Sequence, residues 1–203
     1  MKRFYFSYGF VFLCFALLFA ASETYGQRAA TETYTGTVLY YGSGFNTRSV
    51  TRNFTLNLTG QTSDTQAQGF LQTLQEGNQD DLLKAIQKQE LGRFSVGANV
   101  GVPLNVVRES VVDGKRRIFI VFERWTQFAE VRGGYRSLDY PFGVIELSVD
   151  ERTGKGTGTY IAAAKIRWNY DEKQKQYQVE VENFATFPAK LLGVTVRNNR
   201  RAE

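Results

Sequence analysis

The chain has 203 residues, with 25 lysines and arginines against 20 aspartates and glutamates, one cysteine and no histidine. The missing histidine removes the usual general base, the imidazole of a catalytic triad and the commonest transition-metal ligand. With Cys14 as the lone thiol, intrachain disulfides are excluded, as are cysteine metal sites.

The chain opens MKRFYFSYG and then runs apolar from Phe10 to Ala21, a basic segment followed by an apolar stretch of signal-peptide length. Small residues at Ala20, Ala21, Ser22 and Gly26 place cleavage after Ser22 or after Gly26. Leu13 precedes Cys14 where a lipoprotein signal needs a small residue, so no lipid anchor is read there. A retained membrane anchor is the competing reading, since Phe4 to Ala21 is nearly long enough to span a bilayer. The expectation is export to the periplasm or the medium, with residues 27–203 forming one domain that keeps no membrane contact once the leader is gone. That domain would hold 23 basic and 19 acidic side chains and no thiol. Its charges are mixed along the chain apart from Lys115-Arg116-Arg117 and a short basic C-terminal tail with Arg197, Arg200 and Arg201. No nucleic-acid partner is inferred from that pattern.

Tyr34–Tyr41 and Ser49–Thr59 are rich in β-branched and aromatic residues, and Phe54, Leu56 and Leu58 alternate with polar neighbours. Such period-two alternation predicts half-buried strands. The period then changes. Ser63 with Gln66 makes a capping box, and Ala67, Phe70, Leu71 and Leu74 follow at helical spacing. Gly77 stops that helix and Asn78 caps a second, with Asp80 and Asp81 early and Lys84 and Lys88 late, as the helix dipole favours. Two short helices, 64–76 and 79–90, are therefore predicted as an insert between strands.

From Arg93 the strand signal returns. Leu104–Val112 and Lys115–Glu123 flank Asp113-Gly114, a strong hairpin signal. Ile118 to Phe122 is continuously apolar and reads as a central strand covered on both faces. Further strands are predicted at Phe142–Asp150, Gly156–Trp168, Gln176–Asn183 and Ala189–Arg197, with Tyr160, Ala162, Ala164, Ile166 and Trp168 on one face. The glycines and lysine of VDERTGKGTG (149–158) have the wrong spacing for a phosphate loop and lead into a strand rather than a helix, so this stretch reads as a hairpin turn. The whole predicts a mainly β domain: an antiparallel barrel-like or sandwich fold of about eight strands with the two-helix insert at about 64–90.

The segment ERWTQFAEVRGGYRSLDY, Glu123 to Tyr140, concentrates charged and aromatic residues in the longest connection of the β region. Glu123, Arg124, Trp125, Arg132, Tyr135, Arg136 and Asp139 are the candidate ligand-binding set, since aromatic walls with convergent charges are the usual lining of a ligand site. The plain alternative is a set of acid–base pairs tying a long loop to the rim of the sheet. Glu123, Glu130, Asp139 and Glu146 could in principle supply a glycosidase-type acid and base. Nothing in the sequence fixes their separation, no Ser-x-x-Lys motif follows residue 26, and no motif implies a metal or cofactor.

LGR at 91–93, DGKRRIFI at 113–120 and RSLDYPFGVIELSVDERTGKGTG at 136–158 resemble a set of small exported proteins of environmental bacteria with no assigned activity. The resemblance takes in most of the chain after the leader, including the helices around TSD and NQDDLLKAI. It implies export and a β-rich fold with a helical insert, and it brings no catalytic residue. The expected function is a non-enzymatic exported binding protein for a small apolar or amphipathic molecule, or for a partner protein. A small outer-membrane β-barrel and a carboxylate-based polysaccharide hydrolase are the alternatives.

Overall fold

The computed structural model describes residues 31–42, 48–125, 136–172, 175–185 and 187–198. The predicted leader, both of its cleavage points and the end of the basic tail lie outside these residues. Ten antiparallel strands form one sheet: β1 (Glu32–Tyr40), β2 (Val50–Leu58), β3 (Gly92–Val96), β4 (Val102–Pro103), β5 (Val106–Val112), β6 (Lys115–Glu123), β7 (Phe142–Asp150), β8 (Lys155–Asp171), β9 (Gln176–Asn183) and β10 (Ala189–Asn198). Helices α1 (Asp64–Glu76) and α2 (Gln79–Ile86) separate β2 from β3, and a 3₁₀ turn spans Arg136–Asp139. The strand order is β4-β3-β2-β1-β10-β8-β7-β6-β5, with β9 beside β8.

The two end strands, β4 and β5, are consecutive in the chain, and their junction curls the sheet toward a barrel without closing its ladder. Leu104 donates its amide to the Gly92 carbonyl at 2.9 Å and accepts from the Leu91 amide at 2.8 Å. One residue on, Asn105 donates its amide to the Val121 carbonyl of β6 at 3.2 Å. The buried Asn105 side chain stitches the same corner, donating to the Gln89 carbonyl at 2.8 Å and accepting from the Glu123 amide at 2.9 Å. Thr62 lies along β5, giving its amide to the Val107 carbonyl and receiving the Val107 amide on its hydroxyl, so that part of this edge is covered.

Apolar residues pack on both faces of the sheet. Inside the curl, Val38, Leu56, Leu104, Ile118, Ile120, Ile145, Leu147 and Leu191 are fully buried. Outside it, Phe119, Val121, Phe142, Val144, Ala164 and Ile166 are covered by Leu74, Leu82 and Ile86 of the helices. The run from Ile118 to Phe122 is continuously apolar because β6 feeds both cores. Both helix starts follow the predicted chemistry: Ser63 and Gln66 form the reciprocal capping box, and the Asn78 side chain accepts from the Asp80 and Asp81 amides. Helix α2 ends at Ile86, earlier than its composition suggests.

Strand β8 departs from the single alternating face expected of it. Between the pairs Phe142↔Ala164 and Val144↔Ile161 the register slips, so three steps on β8 face two on β7. A bulge of this kind reverses the phase of the side chains. Tyr160 therefore packs against the inner core, whereas Ala164, Ile166 and Trp168 join the outer one. The 149–158 stretch is the β7–β8 hairpin, with Gly154 at φ +64° and Asp150 accepting from the Thr153 amide at 2.7 Å. Hydrogen bonds from the Thr153 hydroxyl and then from its amide hold the exposed Asp150 carboxyl below its ordinary value.

Candidate functional site

The register fixes which chain segments meet at each end of the curl. Tyr40 pairs with Val50, Glu123 with Phe142, Phe142 with Ala164, and Ala164 with Asn183, so all lie at one end, here called upper. The Asp113-Gly114 and Asp150–Gly154 turns and the start of β1 mark the lower end.

Beneath the upper end the inner face is aromatic. Phe94 lies 5.1 Å from Tyr160 in an edge-on contact and 6.0 Å from both Phe54 and Phe122, while Tyr160 stacks on Phe122 at 6.4 Å and meets Tyr40 edge-on at 6.3 Å. Gly143 makes room for this cluster, since a Cβ there would sit 2.3 Å from the Phe122 ring. Burial raises the pKa of the Tyr160 phenol, with Tyr40 beside it adding to the rise and the Arg124 charge opposing it. Burial likewise raises Tyr40, against the pull of Arg52. Neither hydroxyl has a hydrogen-bond partner among the described residues. Around the rim, Tyr41 meets Phe187 edge-on at 6.1 Å, Phe184 packs on Tyr140 at 5.1 Å, and Trp125 is 72 % exposed.

The candidate set from the sequence is divided by this geometry. Arg124 continues the inward phase of Ile118, Ile120 and Phe122, and its guanidinium donates to the carbonyls of Tyr140 at 2.7 Å and Ser137 at 2.8 Å. It thereby ties the 3₁₀ turn to β6 while keeping its charge near Tyr160. Trp125, one residue on, faces solvent. Glu123 is exposed and spends its amide on Asn105, and Asp139 is exposed with its carbonyl accepting from Gln79 of α2 at 3.0 Å. Arg132, Tyr135 and Glu130 lie outside the described residues, as does the Arg136 side chain. Glu146 faces Phe119, four residues along β6 from Glu123. At strand rise that separates the two carboxylates by roughly 13 Å of sheet, beyond the separation a glycosidase pair uses.

The charged cluster that the fold does assemble was not singled out from the sequence. At the lower end the Arg116 guanidinium bridges two glutamates, donating to Glu32 at 2.8 and 3.2 Å and to Glu109 through both Nη2, at 2.9 Å, and Nε. Tyr34 donates its hydroxyl to Glu32 at 2.7 Å, and Gln61 donates to Glu109 at 2.7 Å. Burial would lower the Arg116 pKa, but its hydrogen bonds to Glu109 and Glu32 outweigh that and raise it. The signal was available: Arg116 stands in phase with Ile118 and Ile120, and Glu109 in phase with Val107, so each strand points a charge inward. With two carboxylates on one guanidinium, the cluster closes the lower end and leaves no positive charge for an anion.

No family model, curated protein or solved structure matches this chain.

Proposed function

We propose that this chain is an exported, non-catalytic binding protein that holds a small apolar or amphipathic molecule at the upper end of the curled sheet. One observation carries the reading: the Tyr40 and Tyr160 hydroxyls stand within an aromatic cluster with no hydrogen-bond partner among the described residues. Neither hydroxyl is among the buried polar atoms left unpaired, so each offers a donor to a ligand acceptor, a hydrogen bond worth about 0.5–1.5 kcal/mol. The apolar rings supply contact area and the two phenols supply orientation, the division of labour typical of small-molecule sites. The aliphatic side chains of Ile118, Ile120, Ile145, Leu147 and Leu191 fill the interior below, so the ligand sits at the mouth rather than in the depth of the curl.

Export rests on Lys2 and Arg3 ahead of the apolar run Phe10–Ala21. A lipid-facing barrel is the weaker reading, because the outward positions of β1 and β2 carry Thr33, Thr35, Asn53, Thr55 and Asn57, with Thr33 hydrogen-bonded to Asn57 at 2.9 Å.

The test is a titration with laurate and with 1-anilinonaphthalene-8-sulfonate, followed by tryptophan emission and assigned with Trp125→Phe and Trp168→Phe variants. The reading expects saturable binding that Tyr40→Phe and Tyr160→Phe each weaken about three- to tenfold. Saturable binding indifferent to both substitutions, or no binding, would refute it.

A further inference from the structure

The inward positions of the described strands carry charge only toward the two ends of the curl. At the lower end they hold Glu32, Glu109 and Arg116, joined in the cluster described above. At the upper end they hold two arginines. Arg52 pairs with Val38 and continues the inward phase of Phe54, Leu56 and Leu58 on β2, as Arg124 continues that of Ile118, Ile120 and Phe122 on β6. Above Glu32 and Glu109, no inward position of a described strand carries a carboxylate. The lining is therefore acidic and closed below, apolar through the middle, and basic at the mouth.

Arg52 differs from the arginines that hold the sheet together. Arg93, Arg108, Arg116 and Arg167 each form an ion pair within the chain. Arg52 is exposed, donates from Nη1 to the carbonyl of the adjacent Thr51 at 3.2 Å, and meets no carboxylate among the described residues. The β2–β3 ladder begins only at Phe54↔Val96, so Arg52 stands beyond the end of β3. There it borders an open hollow of about 420 Å³ lined by Thr51, Arg52, Asn53, Gly97 and Ala98. A headgroup can reach the guanidinium from that side without displacing a side chain. Arg124, by contrast, spends Nε and Nη2 on the Tyr140 and Ser137 carbonyls and is a fixed charge on the opposite wall.

The rings of Phe54, Phe94 and Phe122, at 6.0 Å spacings, cross the curl beneath both arginines. Each arginine lies two residues beyond one of the outer rings, a rise of about 7 Å. Burial raises the pKa of both phenols at this end, and the charge of Arg52 opposes the rise in Tyr40 as that of Arg124 opposes it in Tyr160. Each phenol thus has a guanidinium in its neighbourhood. A guanidinium can only donate hydrogen bonds, and its planar fork matches the two oxygens of a carboxylate.

We infer that the molecule held at the upper end is an anionic amphiphile of the long-chain carboxylate class. Its carboxylate is bound by the Arg52 guanidinium with the Tyr40 hydroxyl, and its chain lies on the Phe54, Phe94 and Phe122 rings. The glutamates at the lower end repel the same charge, so the head stays at the mouth. This inference rests on the reading of the upper end as a small-molecule site and adds the charge and class of the headgroup.

The experiment is calorimetric titration of the full chain at neutral pH with three ligands of equal chain length: laurate, dodecanol and dodecyltrimethylammonium. Laurate should bind at least about tenfold more tightly than dodecanol, a charge-assisted bond in place of a neutral one, and the ammonium should bind most weakly. The preference should shrink as salt is raised, because Arg52 is exposed. The readout for Arg52→Gln is the ratio of the laurate and dodecanol dissociation constants, which any general loss of fold would leave unaltered. That ratio should move toward one by about five- to tenfold, and Arg52→Glu should favour the ammonium. Equal binding of laurate and dodecanol by the parent chain would overturn the inference and leave the small-molecule site standing. So would a laurate preference that survives Arg52→Gln, or an ammonium that binds as tightly as laurate. Absence of binding by all three would remove the small-molecule site and the inference with it.

Discussion

Replacing Arg116 by methionine keeps the length and apolar stem of the side chain and removes its charge. Glu32 and Glu109 would then face each other at the lower end without the guanidinium between them, with side-chain exposures of 18 % and 17 %. Breaking a fully buried ion pair by removing one partner costs about 3–5 kcal/mol. The residual exposure of these groups lowers that to roughly 2–4 kcal/mol at neutral pH, since water and proton uptake relieve part of the repulsion. For a urea m-value of about 2 kcal/mol/M, the midpoint should fall by roughly 1–2 M. The triple change Arg116→Met, Glu32→Gln, Glu109→Gln removes both the attraction and the stranded charges, and should recover to within about 1–2 kcal/mol of the parent. The assay is urea unfolding followed by far-UV circular dichroism. A single-variant loss below about 1 kcal/mol, or a triple variant less stable than the single, would show that the guanidinium does not hold this end together.

Other expectations are more local. Gly143→Ala should cost about 1–3 kcal/mol by pushing the Phe122 ring off Tyr160, read as a lowered melting temperature together with a changed near-UV tyrosine spectrum. Asn105→Ala strands the Gln89 carbonyl and the Glu123 amide at a buried corner and should cost roughly 2–4 kcal/mol in urea unfolding. Tyr34, Tyr40 and Tyr160 all have folded-state pKa values raised by burial. In the unfolded chain they lose protons from about pH 10, so their stabilisation is complete below that pH and is lost as pH rises through the folded values. Urea midpoints above pH 10 should therefore decline, and Tyr160→Phe should flatten the decline by up to about 1.4 kcal/mol per pH unit.

Local signals in the chain were decisive where one physical rule acts alone. Ser63 with Gln66 and the side chain of Asn78 cap the two helices as read, and Asp113-Gly114 turns the β5–β6 hairpin with both residues at positive φ. Phe54, Leu56 and Leu58 share the inner face because nothing interrupts the alternation of β2. Legibility failed where distant residues set the outcome. The bulge opposite Gly143 reverses the phase of β8, which a strictly alternating reading from Tyr160 to Trp168 cannot anticipate. Strands β3 and β4 are short and depend on the Leu104–Asn105 corner, so their own composition carries little signal. Of the charged and aromatic segment after Glu123, Arg124 and Trp125 lie at the same end of the sheet as the aromatic cluster. The Tyr40–Phe94–Tyr160 cluster, drawn from β1, β3 and β8, is a product of sheet order that no single segment displays.

The central claim, a small molecule held at the upper end, is tested most directly by native mass spectrometry of the protein purified from its native source without detergent. The account predicts a reproducible extra mass that is lost on denaturation and displaced by the fluorescent probe, with its retention reduced in the Tyr40→Phe, Tyr160→Phe double variant. A clean protein mass from that preparation, with no probe bound at millimolar concentration, would contradict it.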